Sequence, residues 1–187
     1  MRVALTGSSS TGKTTIAQSL MGIPWIRDLV SQFVPTDARQ LLREMGFSQM
    51  DRMTREQLRV FQRRYFDRKL ALESSFGSLI TDRSFVDVAA YWLVRDAFDL
   101  PVDQRMPLVQ QCRTEAARYD LHIYVPFGQI PFEHDGYRSE HHDLHIAIDS
   151  CIQRLLSEWK LKPIWIRSGR HEDRVTQLKA ALGEFKS

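Results

Sequence analysis

Gly7, Gly12, Lys13 and Thr14 stand at a spacing suited to one task, holding a chain of phosphates. The stretch Gly7-Ser8-Ser9-Ser10-Thr11-Gly12-Lys13-Thr14 fits the pattern G-x-x-x-x-G-K-[ST]. It follows the apolar run Val3-Ala4-Leu5 and leads into the helical pattern Thr15-Ile16-Ala17-Gln18-Ser19-Leu20. The glycines allow backbone angles that a Cβ resists. Successive N–H groups can then converge on one anion at the positive end of the helix that follows. Lys13 offers a point charge to the β- and γ-phosphates, and the Thr14 hydroxyl suits Mg²⁺. A chance Gly/Ser turn would not need a strand before it and a helix after it. The expected nucleotide contacts are therefore Gly7, Ser8, Ser9, Ser10, Thr11, Gly12, Lys13, Thr14 and Thr15, with ATP and Mg²⁺ as cofactors.

Other chemistry-bearing residues follow apolar runs. Leu79-Ile80-Thr81 ends in Asp82-Arg83-Ser84, with Asp87 further on. Asp82 is placed to share Mg²⁺ with Thr14, directly or through water, and Arg83 to neutralise a phosphoryl group. A helix-capping Asp beside a solvated Arg is the alternative. Pro24-Trp25-Ile26-Arg27 reads as a short strand ending at Asp28, which would orient an acceptor hydroxyl and take its proton. A helix cap serves Asp28 nearly as well. Residues 126–140 hold Gly128, Pro131, Asp135, Gly136, Tyr137 and Arg138, a length and chemistry that suit a lid with Arg138 as an arginine finger in cis. A surface turn at Asp135-Gly136 is the plainer account. His134, His141, His142 and His145 cluster in sequence, and a solvated helix start explains them better than a metal site. Arg55, Arg59 and Arg63 recur at i, i+4, i+8, with Arg52, Arg64 and Arg68 nearby. That row is either the wet face of a helix or a track for a phosphodiester backbone.

The elements that must carry these residues alternate in type. Strands are expected at 2–6, 24–27, 79–82, 121–125 and 163–166. Helices are expected at 13–21, over most of 29–46 with a break near Pro35, at 84–97, 103–118, 141–159 and 171–185, with a long one opening at Thr54, where Gln57 completes a capping box. Such alternation predicts an α/β fold, a parallel sheet with helices on both faces and ligands beyond the carboxyl ends of its strands. The 187 residues, 43% hydrophobic and 26% charged, fit one domain spanning 1–187. A net charge of +3 does not argue for nucleic acid by itself, although arginine far outnumbers lysine. Cys112 and Cys151 form no metal or redox spacing, which points to a reducing cytoplasm, a host's if the source is viral. No apolar run suits a membrane span, and an N-terminus that reads as a core strand is not a signal peptide.

Asp82-Arg83-Ser84 with Asp87, Ala90 and Tyr91 resembles the D-R-x-x-x-D-x-x-A-Y region of thymidylate kinases and the E/D-R-S motif of deoxynucleoside kinases. Tyr119-Asp120-Leu121, the segment Pro131 to Arg138, and Gly169 with Arg174 are similar to NadR-type nicotinamide riboside kinases. They are more similar still to the small AAA-type P-loop kinases of bacteria and phages. The chain departs from these relatives in Asp28, where many carry Glu, and in Asp82-Arg83-Ser84, which is unlike a D-T-D segment. The resemblance covers nearly the whole chain and implies a three-layer P-loop NTPase fold. It implies ATP- and Mg²⁺-dependent transfer of a phosphoryl group to a nucleoside- or nucleotide-like acceptor. By analogy of architecture, the turn Ser168-Gly169-Arg170 would border the adenine. Lys13, Asp28, Asp82, Arg83 and Arg138 are then the expected catalytic set. Two alternatives stand beside this reading. One is a phage-type DNA kinase acting on hydroxymethyl-uracil, with Arg55, Arg59 and Arg63 on the DNA. The other is an ATPase or switch module.

Overall fold

Val3, Ala4 and Leu5 have no exposed surface, because the strand they form, β1 (Arg2–Thr6), lies at the centre of the sheet. A computed structural model describes residues 1–133, 139 and 141–185. Around β1 the order is β2 (Phe33–Val34), β3 (Leu79–Asp82), β1, β4 (Leu121–Tyr124), β5 (Ile164–Trp165), and every pairing is parallel. Alternate residues of β1 face different layers. Val3 and Leu5 pack with Ile16, Ala17 and Leu20 of α1 (Lys13–Met21), Ile26 of α2 (Pro24–Leu29) and Leu178 and Leu182 of α8 (His171–Gly183). Ala4 joins the opposite layer. That layer holds α3 (Ala38–Glu44), α4 (Arg55–Ser74), α5 (Phe85–Tyr91), α6 (Val102–Ala116) and α7 (His142–Glu158). The expected parallel sheet between two helical layers is present.

One expected strand is a helix. Pro24-Trp25-Ile26-Arg27 lies in α2, where Pro24 takes the first turn. Proline suits that position because its missing N–H has no helical partner there, whereas a sheet would lose a ladder bond. The second strand is the two-residue β2, inside the span read as helical, and it pairs with Ile80 and Thr81. The expected helix at 84–97 is also divided, into α5 and a π turn over Trp92–Asp96. The Thr54 capping box is formed, with Gln57 N–H donating to Thr54 Oγ1 at 3.3 Å and Thr54 N–H to Gln57 Oε1 at 2.8 Å. Cys112 and Cys151 are buried free thiols, and burial raises both pKa values. No helix among the described residues is long and apolar enough to cross a membrane.

The junction of β1 with the loop after it is tight. Gly7 adopts φ 156°, and a Cβ built there would meet the Val125 carbonyl oxygen at 2.4 Å. Gly7→Ala is expected to destabilise the chain by about 2–4 kcal/mol, read as a lower midpoint in urea unfolding with an unchanged slope.

Candidate active site

The loop from Gly7 to Thr14 runs from the end of β1 into α1. Gly12, at φ 82°, caps α1, and no side chain caps that helix. Its first amides are thus left for an anion. Ser10 also has positive φ, at 55°, and such reversals of handedness let neighbouring amides converge. Lys13 Nζ donates to Ser8 O at 2.6 Å and to Thr11 Oγ1 at 2.9 Å. Burial, then repulsion by Arg83, lowers the Lys13 pKa to about 8 against the pull of Asp82 and Asp87. A phosphate chain at this loop would add negative charge beside the ammonium.

Sheet register brings β3 to the same place. Leu5 is paired with Asp82, and Thr14 Oγ1 donates to Asp82 Oδ2. Two hard oxygen donors thus stand together at the phosphate loop, a set that fits Mg²⁺ completed by phosphate and water. No group of three or more metal-binding His, Cys, Asp or Glu side chains occurs among the described residues.

Arg83 follows at φ 77°, a left-handed conformation unusual for a side chain of its size. Its N–H donates to Leu5 O at 3.0 Å, and its Nη2 donates to Ser9 Oγ at 3.0 Å. Nη1 is buried with no hydrogen-bond partner, 3.8 Å from Asp87 Oδ1. Burial opposes the Arg83 charge, but Tyr91, Asp87, Tyr65 and Asp82 outweigh it and raise the pKa. Asp87 is itself fixed, accepting from Gly7 N–H at 3.0 Å and from the Ser84 N–H and hydroxyl at 2.8 Å. This capping carboxylate therefore ties α5 to the start of the phosphate loop.

A cavity of about 510 Å³ continues from this point. One wall is the phosphate loop from Ser9 to Thr15, with Asp82, Arg83 and Asp87 beside it. The other half is lined by Thr36, Leu42, Phe61, Gln62, Tyr65, Tyr91 and Arg95. The Tyr91 ring lies between two guanidinium groups, Arg83 at 4.9 Å and Arg95 at 5.0 Å from its centroid. Its hydroxyl is 2.8 Å from Ser9 Oγ. Burial pushes the Tyr91 phenol up, but Arg83, the Ser9 hydrogen bond, Lys13 and Arg95 hold it below its ordinary value. The buried Asp96 carboxylate grips Arg95 at 2.5 and 3.1 Å. The same guanidinium reaches Gln62 Oε1 at 3.4 Å, and Gln62 Nε2 donates to Val88 O at 2.8 Å. Periodicity gave no sign of Arg95, because a π turn shifts the residues after Tyr91 around the helix axis. Tyr91 had a signal, one turn beyond Asp87.

The remaining expected residues are placed differently. Asp28 is exposed on α2 and is not part of the cavity lining, so the strand-end position expected for an acceptor-orienting carboxylate is not its own. After β2 it is Thr36 that lines the cavity, while Asp37 lies 3.5 Å from Arg68. Arg138, with Asp135, Gly136 and Tyr137 of the expected lid, lies outside the described residues. Gly169 abuts Gln129, where an added Cβ would be 2.6 Å from the carbonyl oxygen. Arg170 is exposed near Glu172 and Asp173, and neither Gly169 nor Arg170 lines the cavity. Arg174 binds this turn to the phosphate loop. It donates to Ser168 O at 2.5 Å, Thr11 O at 2.7 Å and Gln129 Oε1 at 3.2 Å.

The arginine row of α4 has local partners. Arg59 binds Asp99 at 2.6 Å and Asp96 O at 3.0 Å, and Arg55 binds Asp99 at 3.2 Å and stacks on Phe98. Arg63 lies over the Trp92 ring at 4.9 Å. These contacts give Arg55, Arg59 and Arg63 partners within the chain. His145 is not solvated as expected. It is buried, with Nε2 2.8 Å from Ser139 O and Nδ1 3.4 Å from Ser8 Oγ.

The strand order and the phosphate loop define a P-loop NTPase fold. The chain belongs to the AAA domain family, which it matches over residues 2–174. None of the curated proteins matches it. Among solved structures it is similar to the NadR protein in complex with NAD and AMP-PNP, with a TM-score of 0.62 and 20% identity over 97% of this chain and 49% of that one. It is also similar to deoxyadenosine kinase from M. mycoides with dCMP and dCDP bound, with a TM-score of 0.65 and 11% identity over 98% of this chain and 100% of that one. A third is thymidylate kinase from Ehrlichia chaffeensis, with a TM-score of 0.61 and 10% identity over 97% and 98% of the two chains. The chain spans 49% of the NadR chains it matches. At these identities the likeness shows the fold, and the resemblance to small P-loop kinases is borne out at that level.

Proposed function

We propose that the chain is a phosphotransferase that moves the γ-phosphoryl group of ATP to a hydroxyl or phosphate of a nucleoside- or nucleotide-like acceptor. The observation that carries this reading is the two-part cavity. A phosphate loop with its lysine opens directly into a half lined by Phe61, Tyr65 and Tyr91, with Gln62 and Arg95 as hydrogen-bonding groups. An ATPase or switch needs room only for water, whereas an aromatic chamber with a few fixed polar groups suits a flat, polar ring. The similar NadR structure holds NAD and AMP-PNP, and the similar deoxyadenosine kinase holds dCMP and dCDP.

Phosphoryl transfer asks a protein mainly for positioning and charge. Lys13 would exchange its contacts with Ser8 and Thr11 for the β- and γ-phosphates. Arg83, whose Nη1 has no hydrogen bond, would donate to the oxygens of the moving group. Thr14 and Asp82 would hold Mg²⁺, which when bound supplies positive charge to the phosphates. The acceptor oxygen bonds to the γ-phosphorus as the bond from phosphorus to the bridging oxygen of ADP breaks, and any acceptor hydroxyl proton leaves to base or water.

The test is transfer of label from γ-labelled ATP with Mg²⁺ to a panel of nucleosides and nucleotides, beside duplex DNA with and without hydroxymethyl-uracil. Label on a free nucleoside or nucleotide is the expected result. Label only on modified DNA would replace the small acceptor with a polymer, and release of free phosphate alone would overturn the kinase in favour of an ATPase module.

A further inference from the structure

Behind Arg83 lies a buried polar chain that neither the phosphate loop nor the acceptor chamber uses. Lys69 of α4 is 5% exposed, Glu73 is 1% exposed and Thr81 of β3 has no exposed surface. Lys69 Nζ forms an ion pair with Glu73 Oε1 and donates to Thr81 Oγ1 at 2.8 Å. Glu73 also accepts from Tyr119 OH at 2.9 and 3.1 Å and from Arg2 Nη2 at 3.1 Å. Thr81 Oγ1 lies 3.3 Å from the carbonyl oxygen of Arg83.

Donor rules give this chain a direction. An ammonium only donates, so Lys69 makes Thr81 Oγ1 an acceptor and leaves its single proton for the Arg83 carbonyl. The Arg83 backbone is then held on both sides, by its N–H on Leu5 O at 3.0 Å and by its C=O on the Thr81 hydroxyl. These bonds flank a residue at φ 77°, a conformation that persists only where surroundings over-determine it. A buried ion pair is weak evidence for stability, since desolvation offsets most of its attraction. This one ends two residues from the guanidinium that reaches Ser9.

We infer that Thr81, oriented by the Lys69–Glu73 pair, is a positioning residue for Arg83, holding its backbone in the left-handed conformation that delivers the guanidinium to the phosphate loop. The inference rests on the phosphotransferase reading for its kinetic consequence, but not for its structural one.

Thr81→Val keeps the shape and removes the hydroxyl. It is expected to lower kcat about tenfold while KM for ATP changes less than twofold, and Thr81→Ser is expected to restore turnover. In an Arg83→Lys background the same Thr81→Val change is expected to cost less than twofold, because the geometry it protects no longer matters. A merely structural threonine would give equal losses in both backgrounds, and that result would overturn the inference, as would full turnover of Thr81→Val. Should that variant not fold, Thr81→Ala carries the same comparison. Failure of the wild-type chain to transfer phosphate would overturn the phosphotransferase reading alone. The relay is then decided by a crystal structure of the Thr81 variant: departure of Arg83 from positive φ supports it, and an unchanged Arg83 overturns it.

Discussion

Lys13→Met is expected to lower kcat for the proposed phosphoryl transfer by about 10²–10³-fold, the scale of losing one preorganised charge aimed at the reacting group. The fold should survive, because methionine fills the same channel with no ammonium to desolvate. Proton uptake separates this loss from simple misplacement. In the unbound chain burial and Arg83 hold Lys13 at about 8, and the phosphates of ATP must raise that value on binding. ATP binding is therefore expected to take up a proton around pH 8–9, and its affinity to fall as pH rises through about 8. Calorimetry in buffers of different ionisation enthalpy reads the uptake, which Lys13→Met should abolish. Stability of the unbound chain has the opposite sign. Between about 8 and 10.5 the unfolded lysine holds its proton and the folded one does not, so stability rises with pH across that window. ATP removes the trend across that window by restoring the charge in the folded state. An absence of uptake at pH 8.5 would mean that Lys13 keeps its proton without nucleotide, despite its burial.

What could be read from the sequence was what local chemistry determines. Gly7, Gly12, Lys13 and Thr14 lie within eight residues, and their order already describes the loop. Asp82 was legible because an apolar run before a carboxylate marks a strand end, and the β1–β3 register sets it beside Thr14. The Thr54–Gln57 box needs only three residues of spacing. Features decided by distant partners were not legible. The two-residue β2 has no period to detect, and it exists because Ile80 and Thr81 pair with it. Pro24 misled because a short apolar run is compatible with strand or helix, and only the proline at its head discriminated. Arg55 and Arg59 looked like an unpaired row because Asp99 lies 44 and 40 residues away in sequence. Arg95 enters the cavity by a π turn, which hydrophobic periodicity does not encode.

Arg83→Gln is expected to lower kcat by about 10²–10³-fold, with kcat/KM falling in proportion, the signature of the proposed action on charge that develops in the transition state. A rise in KM alone would show that Arg83 serves ground-state binding instead. Its backbone permits a second, independent test of the cost of holding it there. Alanine and glycine at this position both lose the Ser9 hydrogen bond, the Tyr91 stacking and the approach to Asp87. They differ mainly in their tolerance of φ 77°. Left-handed backbone costs a residue with a Cβ roughly 1–2 kcal/mol, part of which glycine returns through its greater unfolded-state entropy. Arg83→Gly should therefore be the more stable of the two by about 1 kcal/mol in urea unfolding, while both are equally inactive. Equal stabilities would show that the turn relaxes once the guanidinium is gone, so that side-chain contacts hold Arg83 left-handed. A clear advantage for glycine would show that the backbone bonds to Leu5 and Thr81 impose the conformation on whatever residue stands there. The strain then belongs to the scaffold, and the arginine at this position is what converts it into a guanidinium aimed at phosphate.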